Sequence, residues 1–161
     1  MRVYLASTLY DLGVILRDRQ IQAGTAYAVT AALWEAYASG DQEELEYVAL
    51  MQAARGSLRL LAADPQAPPR RVVLAADVDD SLVTASGDAD DPARVIVTVP
   101  VDIARLVSAH VDDEQAAGDV QTAILALPKA DEGDDDAAFE VDQAEGHELG
   151  WYAFQELADL V

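Results

Sequence analysis

The chain has 161 residues, 52% of them hydrophobic, enough for a packed core and too apolar for a chain disordered by composition. Its 30 acids against 10 bases give a formal charge of −20, a field that repels phosphate backbones and anionic lipids and so disfavours nucleic-acid and membrane partners. There is no cysteine, which excludes disulfides, thiolate metal sites and cysteine nucleophiles together and fits a reducing cytoplasm.

The opening, MRVYLASTLYDLGVILRDRQ, has no apolar run ending in a small-residue cleavage site; Asp11 and Arg17 interrupt it at helical spacing, so no signal peptide is expected. No stretch reaches the apolar length that spans a bilayer. Residues 2–6 read as a short strand, after which Ser7 or Thr8 caps a helix with Leu9, Leu12, Ile15 and Leu16 on one side. Gly24 breaks that pattern. TAYAVT (25–30) reads as a second strand, and AALWEAY (31–37) either extends it or forms a helical turn. After Gly40, Asp41 and Glu44 have capping-box spacing, and a long, mostly apolar helix is predicted to about Ala63, ended by Pro65, Pro68 and Pro69.

RRVVLAAD (70–77) follows as a nearly continuous apolar strand of the kind covered by helices. Residues 78–92 read as an acidic loop or, around Leu82-Val83-Thr84, a hairpin arm, 94–100 and 106–111 as strands, and 112–127 as a helix stopped by Pro128. A second acidic loop is expected at 128–137. FEV (139–141), LGWYAF and a last helical turn, QELADLV, complete the tail. The pattern predicts an α+β fold: a mixed sheet, or two small sheets, of about six to eight short strands, one long buried helix over about 41–63 and two or three shorter helices. A single domain is expected over 1–161, with a loose echo between 2–77 and 94–154 in which RVYL faces RVIV.

The charge is uneven. Residues 106–161 hold fifteen acids against Lys129 alone, a net of −14, so a partner that reads charge would read that end. Three readings of the acidity are open: solubility, a halophile's surface, or an acidic face that docks on a basic protein or mimics DNA.

Two stretches carry candidate ligand-binding residues. In SAHVDDEQ, His110 and Asp112 lie two apart on a strand and so project to one face, the beginning of a metal or acid–base set. The plainer alternative is a helix cap at Asp112 or Asp113, with Glu114 in the first turn where the helix dipole favours acids. In GHELGWY, His147, Glu148 and Trp151 offer an acid–base pair beside an aromatic wall, with Tyr4 as a possible contributor from the first strand; the alternative is a loop whose Trp151 faces the core. The run W-Y-x-x-x-E-L resembles the ending of Nudix hydrolases, but the paired acids that hold magnesium in that family do not follow Gly40 and Glu46, so that chemistry is rejected. No Walker A, GxGxxG or GxSxG motif is present, and no catalytic residue, metal or cofactor is assigned.

MRVYL, GTAYAVTAAL, GDQEELEYVAL, AARGSLRLLAADP, PRRVVLAADV, VSAHVDD and HELGWYAFQEL together resemble, over nearly the full length, a family of short actinobacterial proteins, domain-of-unknown-function family 6912. The resemblance implies a cytoplasmic protein of a GC-rich bacterium, weakens the halophile reading, and transfers no catalytic residue. The chain departs from the family pattern at residues 5–7, where a proline is expected, and at Leu149-Gly150, where two leucines are expected. The function expected from all this is a non-enzymatic protein-interaction or regulatory module with a basic protein partner and a possible homodimer through a sheet edge. The alternative is a small enzyme or ligand-binding domain with a pocket near His110 and His147.

Overall fold

The computed structural model describes all 161 residues, Met1–Val161. In chain order the elements are β1 (Arg2–Ser7), α1 (Leu9–Asp18), β2 (Gln20–Ile21), β3 (Gly24–Tyr27), α2 (Ala31–Ala36), α3 (Gln42–Ala63), β4 (Val72–Asp77), β5 (Val83–Ala85), β6 (Arg94–Val97), β7 (Val101–Asp102), β8 (Leu106–Val111), α4 (Ala117–Asp131), α5 (Asp135–Glu145) and β9 (Gly150–Ala153). Seven strands form one sheet in the order β5-β6-β3-β1-β4-β8-β9, and every neighbouring pair in it is antiparallel. β2 and β7 pair as a separate ribbon. The α+β class and the single long helix therefore stand as expected. β1 lies between β3 and β4, whereas β6, its counterpart in the loose echo between halves, lies between β5 and β3.

Alternation along the strands sends side chains to two cores. On one face Val3, Leu5, Leu74 and Val95 pack with Leu9 and Leu12 of α1 and with Leu157 of a 3₁₀ turn, Phe154–Asp159. On the other, Tyr4, Tyr27, Val73 and Ala75 lie under Leu45, Ala49 and Ala53 of α3. With both faces covered, β4 has no side that can be polar, which is why VVLAA reads as a continuous apolar run. The β4–β8 register shifts between Ala75 and Ala76: Ala75 faces Ser108 while Ala76 faces Leu106, so Val107 is the extra residue. This bulge puts Leu106 in the first core while Ser108 and His110 turn to the helix-covered face.

α3 is positioned by its ends and by two small residues. Asp41 Oδ1 accepts from Glu44 N–H at 2.9 Å and Glu44 Oε2 accepts from Asp41 N–H at 3.0 Å, the capping box read from the sequence. A Cβ on Gly56 would stand 2.9 Å from the Ala6 Cβ of β1, so only glycine allows the helix this close to the strand. Ser57 is buried there; its hydroxyl donates to Ser7 C=O (2.7 Å) and accepts from Val72 N–H (3.0 Å), joining helix, β1 and β4 through one oxygen.

The region after β8 departs most from expectation. Pro128 does not end α4, which runs on to Asp131. The last turn is held from outside, because Leu127 and Ala130 pack against Ala137, Val141 and Ala144 of α5. Gly133, at φ +93°, makes the reversal between the helices in a conformation that L side chains rarely adopt. Residues 139–141 belong to α5. Asp134 caps that helix by accepting from Ala137 N–H at 2.8 Å, and Asp135 and Asp136 fill its first turn, where the dipole favours acids. The acids of 131–136 are thus a helix–turn–helix signal as much as a solvated run.

Ser57→Ala keeps helix propensity but takes a buried hydrogen-bond partner from two backbone groups that the β1–β4 ladder also pairs, so it is expected to lower stability by on the order of 1 kcal/mol. A fall in the urea midpoint at unchanged m-value checks this; an unmoved midpoint sinks it.

Candidate functional site

The polar centre of the structure sits where β4 begins and β8 ends. Asp112 follows β8 and continues its ladder, donating from N–H to Arg71 C=O at 3.1 Å. Arg71 returns a backbone N–H bond to Asp112 Oδ2 at 2.8 Å. The Arg71 guanidinium then grips the same carboxylate with a fork, Nε to Oδ2 and Nη2 to Oδ1, both 2.8 Å. Both side chains are 0% exposed. Nη2 also donates to His147 C=O at 3.0 Å, beyond the end of α5, while Nη1 is buried with no acceptor. Arg70 Nε donates to Asp112 C=O at 2.8 Å. One guanidinium thereby ties two neighbouring strands to the segment that follows the α4–α5 hairpin.

More polar contacts ring this point. Asp113, not Asp112, caps the entry to the hairpin, its Oδ1 accepting from Gln115 N–H (2.9 Å) and Ala116 N–H (3.3 Å). His147 Nε2 lies 2.7 Å from Asp119 Oδ2, linking the two ends of the hairpin. Arg55 of α3 reaches Glu145 at 3.4 Å, and Arg59 reaches Asp131 at 3.2 Å. Burial pushes the Glu145 carboxyl above its usual range, and the Arg55 charge opposes that rise.

The six residues singled out from the sequence fall into different surroundings. Asp112 is fully engaged by Arg71, so a cation at that carboxylate would have to displace a guanidinium. His110 is half-buried on β8, opposite Val73 on one side and Trp151 of β9 on the other. Trp151 is 61% exposed beside it on the edge strand. His147 is turned to Asp119 rather than to His110, and Glu148 is exposed. Tyr4 is buried beneath α3, facing Tyr27 across β1 and β3, and burial pushes its hydroxyl above the usual phenol range. The structure brings His110 to Trp151 and Asp112 to the backbone of His147; five surface cavities, of about 330–500 Å³, are lined by other residues. No three histidine, aspartate or glutamate side chains are grouped to hold a metal ion.

Arg71, Asp119 and Ser57 escaped the sequence reading. Arg71 was hidden at the head of an apolar strand. Its signal is that a basic residue opening one such strand and an acid closing another, as in LVSAHVD, would meet if the two strands paired antiparallel.

Removing one member of a buried ion pair strands the other charge. Asp112→Ala is expected to cost about 3–5 kcal/mol, whereas the double variant Arg71→Met, Asp112→Leu also removes the orphaned Nη1 and should recover most of that loss. Urea unfolding of both variants checks this; a double variant no better than the single overturns it. Burial, helped by the Arg2 charge, holds the His110 imidazole below its ordinary pKa of 6.5. The unfolded chain therefore binds the proton first, so this group's contribution is complete above 6.5 and falls as pH drops toward the folded value. His110→Gln should flatten the wild-type loss of stability between about pH 7 and 5. Identical pH profiles for the two proteins would exclude that origin.

Comparison with known proteins places the chain at the level of family alone. No curated protein and no solved structure matches it. A family pattern described as "Family of unknown function (DUF6912)" matches residues 1–161, and the chain, over that whole length, belongs to this family.

Proposed function

We propose that the protein acts by binding another polypeptide through its acidic C-terminal third, as an interaction or regulatory module rather than as an enzyme. The observation that carries this reading is how the acids of the α4–α5 hairpin are used. The hairpin holds nine acids and one base, Lys129. Asp119, Asp131 and Glu145 are spent on His147, Arg59 and Arg55. The other six, Glu132, Asp134, Asp135, Asp136, Glu140 and Asp142, are exposed and have no ion-pair partner.

These charges stand on two packed helices fixed to the sheet by Arg71. A preorganised field of one sign steers an oppositely charged partner and adds specificity more than raw affinity. At the base of the hairpin Arg71, Asp112, Asp119 and His147 are committed to holding it in place. A basic protein partner is the complement of this surface, and the cysteine-free composition suits a reducing cytoplasm. No helix is long and apolar enough to cross a membrane.

The test is affinity capture of partners from the native cytoplasm by immobilised protein at about 50 and 500 mM salt. A second arm uses a variant carrying Glu132→Gln, Asp135→Asn, Asp136→Asn, Glu140→Gln and Asp142→Asn, which spares the Asp134 cap. The expected outcome is specific capture that falls at least about tenfold with salt and with neutralisation, at unchanged circular dichroism. Capture indifferent to both treatments would sink the proposal.

A further inference from the structure

We infer that the outer surface of α4 is a docking site for a basic amphipathic helix of another protein, with Leu125 as the ridge over which that helix sits. The inference rests on the acidic-docking reading above and gives it a location and a ligand chemistry.

Leu125 is 82% exposed, the most exposed of the large apolar side chains. It separates two grooves. One, of about 440 Å³, is apolar, with walls from Leu61, Pro65 and Pro69 on one side and Ile124 and Leu125 on the other. The second, of about 470 Å³, runs between α4 and α5 and is lined by Leu125 together with Asp134, Asp136 and Glu140. An apolar trough, an apolar ridge and an acidic trough thus lie side by side.

Charge chooses the occupant. A second copy would bring the same acids to the same surface and be repelled at −20 per chain. Nucleic acid and anionic lipid are repelled likewise. A single cation or polyamine would satisfy the acidic trough and leave Leu125 and the Pro65–Pro69 trough in water. A helix with an apolar stripe and a flank of arginines or lysines satisfies both: its apolar residues, at helical spacing, straddle Leu125, and its basic flank faces Asp134, Asp136 and Glu140. Lys129, at the edge of the acidic trough, penalises a basic residue placed there and so restricts the register.

The probe is a synthetic Leu/Arg amphipathic peptide of roughly 20 residues. A peptide of identical composition, scrambled to abolish the apolar stripe, serves as its control. Fluorescence anisotropy at low salt should show the wild-type protein binding the amphipathic peptide at least about tenfold more tightly than the scrambled one. Leu125→Ser should remove that preference while leaving binding of the scrambled peptide unchanged; because the side chain is almost fully exposed, the variant keeps the fold. Equal binding of the two peptides, or a preference that survives Leu125→Ser, overturns the groove while leaving charge-driven docking intact. Absence of salt-dependent binding to either peptide overturns the docking reading as well.

Discussion

The structure depends on one buried ion pair. Arg71 and Asp112 are both sealed from solvent, and neither charge could remain there without the other. Their fork closes the ladder between β4 and β8, and the remaining reach of the guanidinium holds the segment after α5. Apolar residues of similar volume would pack this point as firmly. A guanidinium fork adds direction: only one register of β4 against β8, and one placement of the residues around His147, satisfies it. The pair is thus better understood as specifying where the hairpin attaches than as supplying stability.

That attachment sorts the acids of the C-terminal third into two populations. Some are structural: Asp112 pairs with Arg71, Asp113 and Asp134 cap helices, Glu156 accepts from Ala153 N–H, Asp119 holds His147, and Asp131 and Glu145 meet the arginines of α3. The rest face water. A negative charge that is costly in a compact chain is partly offset where acids sit at helix N-termini, and is left unoffset along the outer side of the hairpin. Leu125 projects beside those acids.

Much of the fold was legible because it is written in local periodicity. Thr8 caps α1, Asp41 and Glu44 box the start of α3, and the strands at 72–77 and 106–111 follow from β-branched and apolar runs. What local pattern does not contain is pairing. The entirely antiparallel order, the bulge at Val107 and the meeting of Arg71 with Asp112 depend on which strands become neighbours. The helix–turn–helix of α4 and α5 was misread for a related reason. Pro128 and the aspartate run are breaker signals in isolation, and packing of Leu127 and Ala130 onto α5 overrides them. Of the residues proposed for a site, Asp112 was identified as special but for a different chemistry; its partner gave no signal inside an apolar strand. The exposed position of Leu125 was invisible because a leucine at helical spacing reads as core.

The central place of β1 has a consequence for how the chain must be made. The first of these strands to be made is flanked in the finished sheet by β3 and β4, and its register with β4 joins Arg2 to Asp77. Its β3 edge can close once residue 27 is made, but its β4 edge stays unpaired until residues 72–77 follow. β4 waits in turn, because Arg71 finds its carboxylate only 41 residues later. Such long-range closure is slow and leaves sticky edges exposed during synthesis. Most of the negative charge lies after residue 105 and so is made after these strands, too late to protect them while they wait.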